Sequence, residues 1–235
     1  MICSKCKNKP VVRGIKQIRC NNCNEDKMVN YAHNGYVCNE CSDMLLKCMM
    51  CGEQVGTTRK PTIITLSGKA QHGKDASVLI LNKIIEEHGK KALMINYADF
   101  LKYLAKQYLG WDGNKDEKGR TLLQQLGTEK VRHRFPDFWV DIVTGIVKVF
   151  ENDFDYVLIG DCRFHNEINK WGQSGYEVIS AHVERLNFDN GLTDEQKSHP
   201  SETALDDFNF TVKLRAETLV DLEIEIRNKM EELVR

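Results

Sequence analysis

The sequence lacks any run of about 18 apolar residues, and it lacks a charged leader followed by an apolar stretch. The first absence argues against a membrane-spanning helix and the second against a secretory signal peptide, so we expect a protein of the cytoplasm. A strong net charge is also lacking, with 33 Lys and Arg residues against 34 Asp and Glu residues. Charged residues at 29% and hydrophobic residues at 41% are typical of a globular protein.

Cysteine is almost absent after residue 51, where only Cys162 remains, but the first 51 residues contain eight cysteines. Each C-x-x-C pair suits a turn that directs two thiolates at one metal ion, and two pairs complete a tetrahedral zinc site. Disulfides would need an oxidising compartment, which nothing here indicates, and iron–sulfur clusters or redox thiols are the remaining alternatives. We therefore predict two structural zinc ions, with the ligands Cys3, Cys6, Cys20, Cys23, Cys38, Cys41, Cys48 and Cys51.

The pairing of the four C-x-x-C motifs is left open by the sequence. Sequential pairing closes loops of 13 and 6 residues, whereas interleaved pairing gives a cross-braced module. His33 could replace a cysteine, but we interpret it as a loop histidine. Residues 1–60 carry 10 basic and 5 acidic residues, and about four negative charges from two zinc ions with eight thiolates nearly cancel this excess. A structural or protein-docking role is thus favoured over nucleic-acid binding, which stays possible.

Beyond the cysteine module, residues 53–60 are interpreted as a linker between a zinc-binding domain, residues 1–52, and a second domain, residues 61–235. In the second domain, apolar and β-branched runs alternate with helical periodicity. Strands are predicted over residues 62–66, 91–96, 156–159, 176–183 and 210–214. Helices are predicted from the glycine loop to about 87, and over 98–109, 120–134, 137–151, 167–171 and 217–234, with a polar loop over 184–201. This alternation predicts an α/β fold, a three-layer P-loop NTPase-like parallel sheet flanked by helices.

The stretch LSGKAQHGKDAS, residues 66–77, nearly matches a phosphate-binding loop. Gly68 and the pair Gly73-Lys74 fit G-x-x-x-x-G-K between a predicted strand and a predicted helix. Backbone amides and the helix N-terminus would bind an oligophosphate, and Lys74 would reach its β- and γ-phosphates. Asp75 stands where the pattern has Ser or Thr, and its carboxylate could serve magnesium equally well or simply cap the helix.

Two further groups of residues could support such a loop. Asp161 and Arg163 follow the predicted strand YVLI, at the end of a sheet where ligand groups gather, and could orient magnesium and a phosphate or form an ordinary salt bridge. Cys162 between them is interpreted as a packing residue. A helical row of donors suits an anionic substrate or a solvated face. Its members are Arg120, Gln124, Thr128 and Arg132.

These blocks together resemble the phage-type deoxynucleoside monophosphate kinases, which are P-loop enzymes. The loop S-G-x-x-x-x-G-K-D matches Ser67 to Asp75, so that Asp75 is the residue the family uses. Four further blocks of the family occur here in the same order. They are R-x-L-L-Q-x-L-G-T at residues 120–128, aromatic-W-V at 138–140, D-x-R with a following acid at 161–167, and H-x-x-E-x-x-L at 199–205. The resemblance covers about residues 62–235 and leaves out the cysteine module. Ala76 replaces the Thr of the family.

The resemblance implies transfer of the ATP γ-phosphate to deoxynucleoside monophosphates, with magnesium as cofactor, a homodimer and a viral nucleotide-supply role. ATP would be bound by Gly68, Lys69, Ala70, Gln71, His72, Gly73, Lys74, Asp75 and Ala76. Catalysis would involve Lys74, Asp75, Asp161, Arg163 and, as a lid arginine, Arg185. The acceptor would be bound by Lys102, Arg120, Gln124, Thr128, Arg132, Trp139, Arg163 and Glu202, while His199 would anchor the polar loop.

Two alternatives remain at this stage. The chain could be a zinc-dependent nucleic-acid-binding or regulatory protein that uses the P-loop domain as an ATPase switch. It could also be a kinase of another small phosphorylated acceptor, because some phosphomevalonate kinases share the S-G-x-x-x-x-G-K-D loop. The zinc domain could bind a protein partner under either interpretation.

Overall fold

The computed structural model describes residues 2–7, 13–31, 37–45, 47–53, 55, 60–114 and 116–234. The chain divides into two compact units, residues 1–59 and residues 60–235. His33 and most of the predicted linker lie outside the described residues. Within the described part of the chain, no helix combines the length and apolar character needed to cross a membrane.

The first unit consists of short elements around its cysteines. They are α1 (Ser4–Lys7), β1 (Arg13–Arg19), β2 (Asp26–Tyr31) and α2 (Asn39–Met44), and β1 pairs with β2 as an antiparallel hairpin. Two small groups of buried residues are made mainly of cysteines, joined by Val37, Met49 and Met50. So few apolar side chains supply little of the stabilisation that an ordinary core gives, and small units of this kind depend on metals or disulfides.

The second unit alternates strands with helices. The strands are β3 (Thr62–Ser67), β4 (Ala92–Ile95), β5 (Tyr156–Cys162), β6 (Val178–Arg185) and β7 (Val212–Ala216). The helices are α3 (Lys74–Glu87), α4 (Tyr97–Tyr108), α5 (Glu117–Gln124), α6 (Phe138–Phe150), α7 (His165–Gln173), α8 (Asp194–Ser198), α9 (Pro200–Thr203) and α10 (Leu219–Met230). A π-helical segment, Gln125–Arg132, continues α5, and a 3-10 turn, Glu231–Val234, continues α10.

The five strands form one parallel sheet in the order β4-β5-β3-β6-β7, with β3 at the centre. Neighbouring side chains on a strand point to opposite faces, so Ile63 and Ile64 of β3 enter different cores. Ile64 packs with α3 and α10, whereas Ile63 packs with α4, α6 and α7. The predicted three-layer α/β fold with a parallel sheet is thereby confirmed.

Two segments differ from their predicted form. The single helix predicted over residues 120–134 becomes π-helical after Gln124, where the carbonyl of Gly127 accepts a hydrogen bond of 3.1 Å from Trp139 Nε1 on α6. Periodicity cannot show such a tertiary contact. The polar loop predicted over 184–201 contains α8, whose start is marked by the side chain of Thr193 accepting the amide of Gln196, a local capping signal.

Candidate active site and metal centres

The loop after β3 has the backbone that a phosphate-binding turn requires. Gly68 has φ +145°, and a Cβ there would lie 2.3 Å from the carbonyl oxygen of Val183 on β6. Gly73 has φ +96° and precedes the first residue of α3. Only glycine tolerates these conformations at such close approach. The two glycines of the motif thus fix a turn that leads directly into the N-terminus of a helix.

Lys74 lies inside this loop rather than in solvent. Its Nζ donates hydrogen bonds of 2.7 Å to the carbonyl oxygens of Gly68 and Lys69. Burial, followed by the positive charge of Arg163, lowers the pKa of Lys74 to about 7. The amine is therefore held within the turn, in the position from which it would contact a bound phosphate.

The residues after Lys74 divide between solvent and core. Asp75 is exposed in the first turn of α3, whereas Ala76 packs against the buried cluster beneath the sheet. Ser77 is fully buried and donates a hydrogen bond of 3.0 Å to the carbonyl oxygen of Gly73. Asp75 is thus the side chain of this turn that could bind a metal ion, and the methyl group of Ala76 contributes to packing.

A cavity of about 240 Å³ opens beside the loop, between α4, α5, the π-helical segment, α6 and the end of β5. It brings together most of the predicted acceptor residues. Those that line it are Lys102, Gln124, Thr128, Arg132, Trp139 and Arg163, with Asp161 beside them. Arg120 and Glu202 do not line it. Glu167, the acid that follows D-x-R in the sequence block, lines it as well. Tyr97, Leu101 and Phe164 also line it and were not singled out from the sequence, where nothing separates them from ordinary core residues.

Arg132 is held rigidly in the wall of this cavity. Its Nη2 lies 2.5 Å from Glu167 Oε1, and its guanidinium lies 4.0 Å above the ring of Phe164. Glu167 Oε2 accepts the amides of Arg163 and Phe164, at 2.5 and 3.0 Å, while burial raises the pKa of Glu167 to about 7. Arg132 Nε is buried and has no hydrogen-bond partner among the described residues. A buried donor without a partner is costly, so a ligand that accepts from it gains affinity.

Asp161 and Arg163 diverge from the end of β5. The Asp161 carboxylate accepts the amides of Tyr97 and Ala98, both at 2.9 Å, and so caps α4, while burial raises the pKa of its carboxyl group. Arg163 Nη1 donates to Glu202 Oε1 at 2.6 Å and to the carbonyl oxygen of Ser201 at 3.2 Å. Within the part of the chain that the structure describes, Asp161 and Arg163 form no salt bridge with one another.

Arg185 lies at the carboxyl end of β6, on the other side of the loop. Its guanidinium is 4.1 Å from the ring of Phe188, and its amide donates to His72 Nδ1 at 3.1 Å. A second cavity, about 210 Å³, is lined by Gln71, His72, Gly73, Arg185 and residues 216–219 at the end of β7. Residues 216–219 are not among the ATP-binding residues predicted from the sequence. The rule that ligands bind beyond the carboxyl ends of parallel strands could have indicated them.

The cysteines of the first unit form two groups of four. One is Cys3, Cys6, Cys48 and Cys51, and the other is Cys20, Cys23, Cys38 and Cys41. The pairing is therefore nested, with the first motif meeting the last, and neither the sequential nor the interleaved arrangement is correct. The hairpin explains the inner group, because it carries the second motif at the turn between β1 and β2, next to the third motif at the start of α2.

Each cysteine group fits a tetrahedral metal ion. All sulfur atoms of a group lie within 4.8 Å of one another, and Cys3 Sγ is 3.6 Å from Cys51 Sγ. Four thiolates bound to zinc at about 2.3 Å would be roughly 3.8 Å apart. Backbone amides also donate to sulfur, from Cys3 to Cys48 Sγ and from Cys38 to Cys20 Sγ, both at 3.3 Å. These donors stabilise thiolates, so both groups could hold zinc.

The strand order and the loop define the second unit as a P-loop α/β fold. No protein-family model matches the sequence, and no curated protein matches it. Solved structures with a similar fold include the Mycobacterium tuberculosis APS kinase CysC in complex with AMPPNP and APS, with 12% identity, TM-score 0.40, and coverage of 73% of this chain and 98% of that one. A mutant of the same enzyme has 11% identity, TM-score 0.39 and the same coverage.

A third solved structure, APE1195, is 12% identical, with TM-score 0.43 and coverage of 75% of this chain and 98% of that one. At such low identity, these three structures are similar to the chain in fold alone. The likeness to phage-type deoxynucleoside monophosphate kinases rests on the sequence blocks.

Proposed function

We propose that this protein transfers the γ-phosphate of ATP to deoxynucleoside monophosphates, giving deoxynucleoside diphosphates and ADP. The observation that carries the proposal is the position of Arg163. This residue lines the acceptor cavity and, through Glu202, is connected to the amide of Ala70 in the phosphate loop. A guanidinium that faces both places can stabilise charge on a phosphoryl group passing between them.

ATP would bind along the loop and the second cavity. The amides of residues 68–73 and Lys74 would hold its phosphates, as the backbone of the turn favours. The adenine would occupy the cavity between Arg185 and residues 216–219, which lies at the opposite end of the loop from the acceptor cavity. With this orientation the γ-phosphate points towards Arg163, and Arg185 covers the nucleotide from the end of β6.

The acceptor cavity has the mixed lining that a nucleotide needs. Trp139 and Phe164 offer ring surfaces to a base, while Gln124 and Thr128 offer hydrogen-bonding groups. Lys102 and the unpaired Nε of Arg132 would bind the monophosphate. The deoxynucleoside preference itself derives from the sequence resemblance.

The oxygen ligands available near the loop fit magnesium. Asp75 is exposed, and each Asp161 oxygen keeps a lone pair after accepting one amide. Magnesium bound there would neutralise charge on the transferred phosphate. Lys74 and Arg163 would supply the fixed positive charge, and the cavity walls would exclude water that could otherwise hydrolyse ATP.

The first unit is proposed to bind two structural zinc ions and to dock the kinase onto a protein partner. The nested sulfur groups support the zinc ions. The protein partner, the homodimer and the cytoplasmic, viral setting rest on the sequence analysis.

The test is ADP formation by the full chain with ATP and magnesium, with each deoxynucleoside monophosphate offered separately. We expect turnover with one or more of these acceptors and little ADP without acceptor. Lys74→Met should abolish turnover, while Lys83→Met, a change at an exposed lysine further along α3, should not. ADP formation that is indifferent to every nucleotide acceptor would refute the proposal, and stimulation by nucleic acid would favour the switch.

A further inference from the structure

The carboxylate of Glu202 is bound where the phosphate loop would bind an anion. Glu202 Oε2 accepts the backbone amide of Ala70 at 3.0 Å, and Glu202 Oε1 accepts Arg163 Nη1 at 2.6 Å. The side chain is only 9% exposed. Phosphoryl oxygens accept hydrogen bonds from the backbone amides of a phosphate loop and from arginine guanidinium groups. The carboxylate of Glu202 therefore occupies two donors that a phosphate would use.

A second connection holds the same segment to the loop. Lys69 Nζ donates to the carbonyl oxygen of Glu202 and forms an ion pair with Asp206. Lys69 is itself a residue of the loop. The segment 202–206 therefore contacts the loop through the Lys69 side chain and the Ala70 amide, and it contacts the end of β5 through Arg163.

The segment that carries Glu202 is lightly anchored. Helix α9 has four residues and begins at Pro200, and neither α8 nor α9 contains a buried residue. Leu205, with 8% of its surface exposed, fixes the chain just after Glu202 in the apolar cluster above the sheet. Segments with few buried side chains open at low free-energy cost, so Glu202 can leave the loop without disturbing the sheet.

We propose that Glu202 is a displaceable latch that closes the phosphate loop until ATP and the acceptor are both bound. The inference rests on the proposed function. An ATP phosphate and the Glu202 carboxylate are both anions and compete for the amide of Ala70. The acceptor phosphate competes with Glu202 for Arg163, so its arrival weakens the latch and favours ATP binding.

Two consequences follow from this competition. ATP and acceptor bind with positive cooperativity, because each displaces Glu202 and Glu202 opposes the binding of both. In the absence of acceptor, Glu202 lowers the affinity for ATP and limits its hydrolysis by water.

The test compares wild type with Glu202→Gln and Glu202→Ala, using binding of AMPPNP and magnesium measured by calorimetry without acceptor. Loss of a charge-assisted hydrogen bond leads us to expect AMPPNP affinity about tenfold higher in both variants, together with faster acceptor-independent ATP hydrolysis. The acceptor should tighten AMPPNP binding in wild type and lose this effect in the variants. Glu195→Gln, at an exposed acid on α8, is the matched control and should behave as wild type.

Equal or weaker AMPPNP binding by folded Glu202→Gln would overturn the latch, since it would make Glu202 a structural or substrate-contacting residue. The thermal midpoint of each variant establishes whether it is folded, and the glutamine variant keeps the size of the side chain. AMPPNP binding is measured without acceptor. A difference in AMPPNP affinity between wild type and the Glu202 variants would therefore be seen even if the chain phosphorylated no nucleotide. If wild type and variants all fail to bind AMPPNP, the proposed function fails and the latch fails with it.

Discussion

Replacing Gly68 with alanine is the perturbation whose effect the structure defines most closely. The new Cβ would lie 2.3 Å from the carbonyl oxygen of Val183, which belongs to the backbone of β6 and is fixed in the sheet next to β3. The alanine would also have to keep φ +145°, a backbone conformation that L-amino acids other than glycine rarely adopt. Conformations of this kind cost about 1–3 kcal/mol each, and alanine recovers less than about 1 kcal/mol by restricting the unfolded chain.

A net loss of about 2 kcal/mol in the free energy of unfolding is therefore expected for Gly68→Ala. In a domain of this size the loss corresponds to a fall of roughly 4–8 °C in the thermal midpoint. The measurements are thermal unfolding of the full chain and AMPPNP binding, which should weaken strongly because relief of the clash moves the amides of the loop.

Gly145→Ala is the matched control. Gly145 lies within α6, and a Cβ there would meet no atom within 4 Å. The same chemical change should stabilise the chain by about 0.5–1 kcal/mol and leave AMPPNP binding unchanged. If Gly68→Ala matched Gly145→Ala in both measurements, the close approach of the loop to β6 would be refuted.

Three other perturbations test separate parts of the molecule. Chelating the proposed zinc ions should unfold the first unit, because a structural zinc contributes about 10–16 kcal/mol and the apolar core there is small. Hydrogen exchange should show lost protection in the first unit and not in the second, and retained protection would contradict a metal-dependent unit. At pH 8, above the pKa of about 7 of Glu167, Glu167→Gln should raise the acceptor KM about tenfold or more and lower the free energy of unfolding by about 3 kcal/mol, since Arg132 loses a buried charged partner. An unchanged KM would separate Arg132 from acceptor binding. Trp139→Phe removes the hydrogen bond to Gly127 and should cost about 1–3 kcal/mol in the free energy of unfolding, and an unaltered midpoint would show that this bond does not hold the π-helical segment.

The sheet and the phosphate loop could be predicted because their signals are local. The first three strands of the second unit are short apolar or β-branched runs, and the strand predicted at residues 62–66 is observed at Thr62–Ser67. The last strand is shifted, from residues 210–214 to Val212–Ala216, where alternating burial of Val212, Leu214 and Ala216 defines it more sharply than hydrophobicity does. The loop is equally local, because it is defined by two glycines that allow positive φ angles and by the lysine that follows the second of them.

The metal pairing and the π-helical segment depend on contacts between distant parts of the chain. Four identical C-x-x-C motifs have the same local chemistry in any pairing, so only the course of the hairpin brings the second motif to the third. The wider turn after Gln124 likewise accompanies a hydrogen bond from Trp139, on the next helix. Composition and spacing contain neither piece of information.

The two arginines of the proposed acceptor cavity also differ in a way that the sequence does not reveal. The sequence resemblance assigns both Arg132 and Arg163 to acceptor binding and Arg163 to catalysis as well, but it does not show how firmly the partner of each arginine is held. Glu167 lies in α7 with a side chain 3% exposed, and its second oxygen is fixed by two backbone amides, so Arg132 keeps its place and offers Nε to a ligand. Glu202 lies on a four-residue helix without buried residues, so the partner of Arg163 can be exchanged for a phosphate. Under the proposed function, Arg132 would thus act as a fixed donor and Arg163 as an exchanging one, because the two glutamates that bind them are anchored differently.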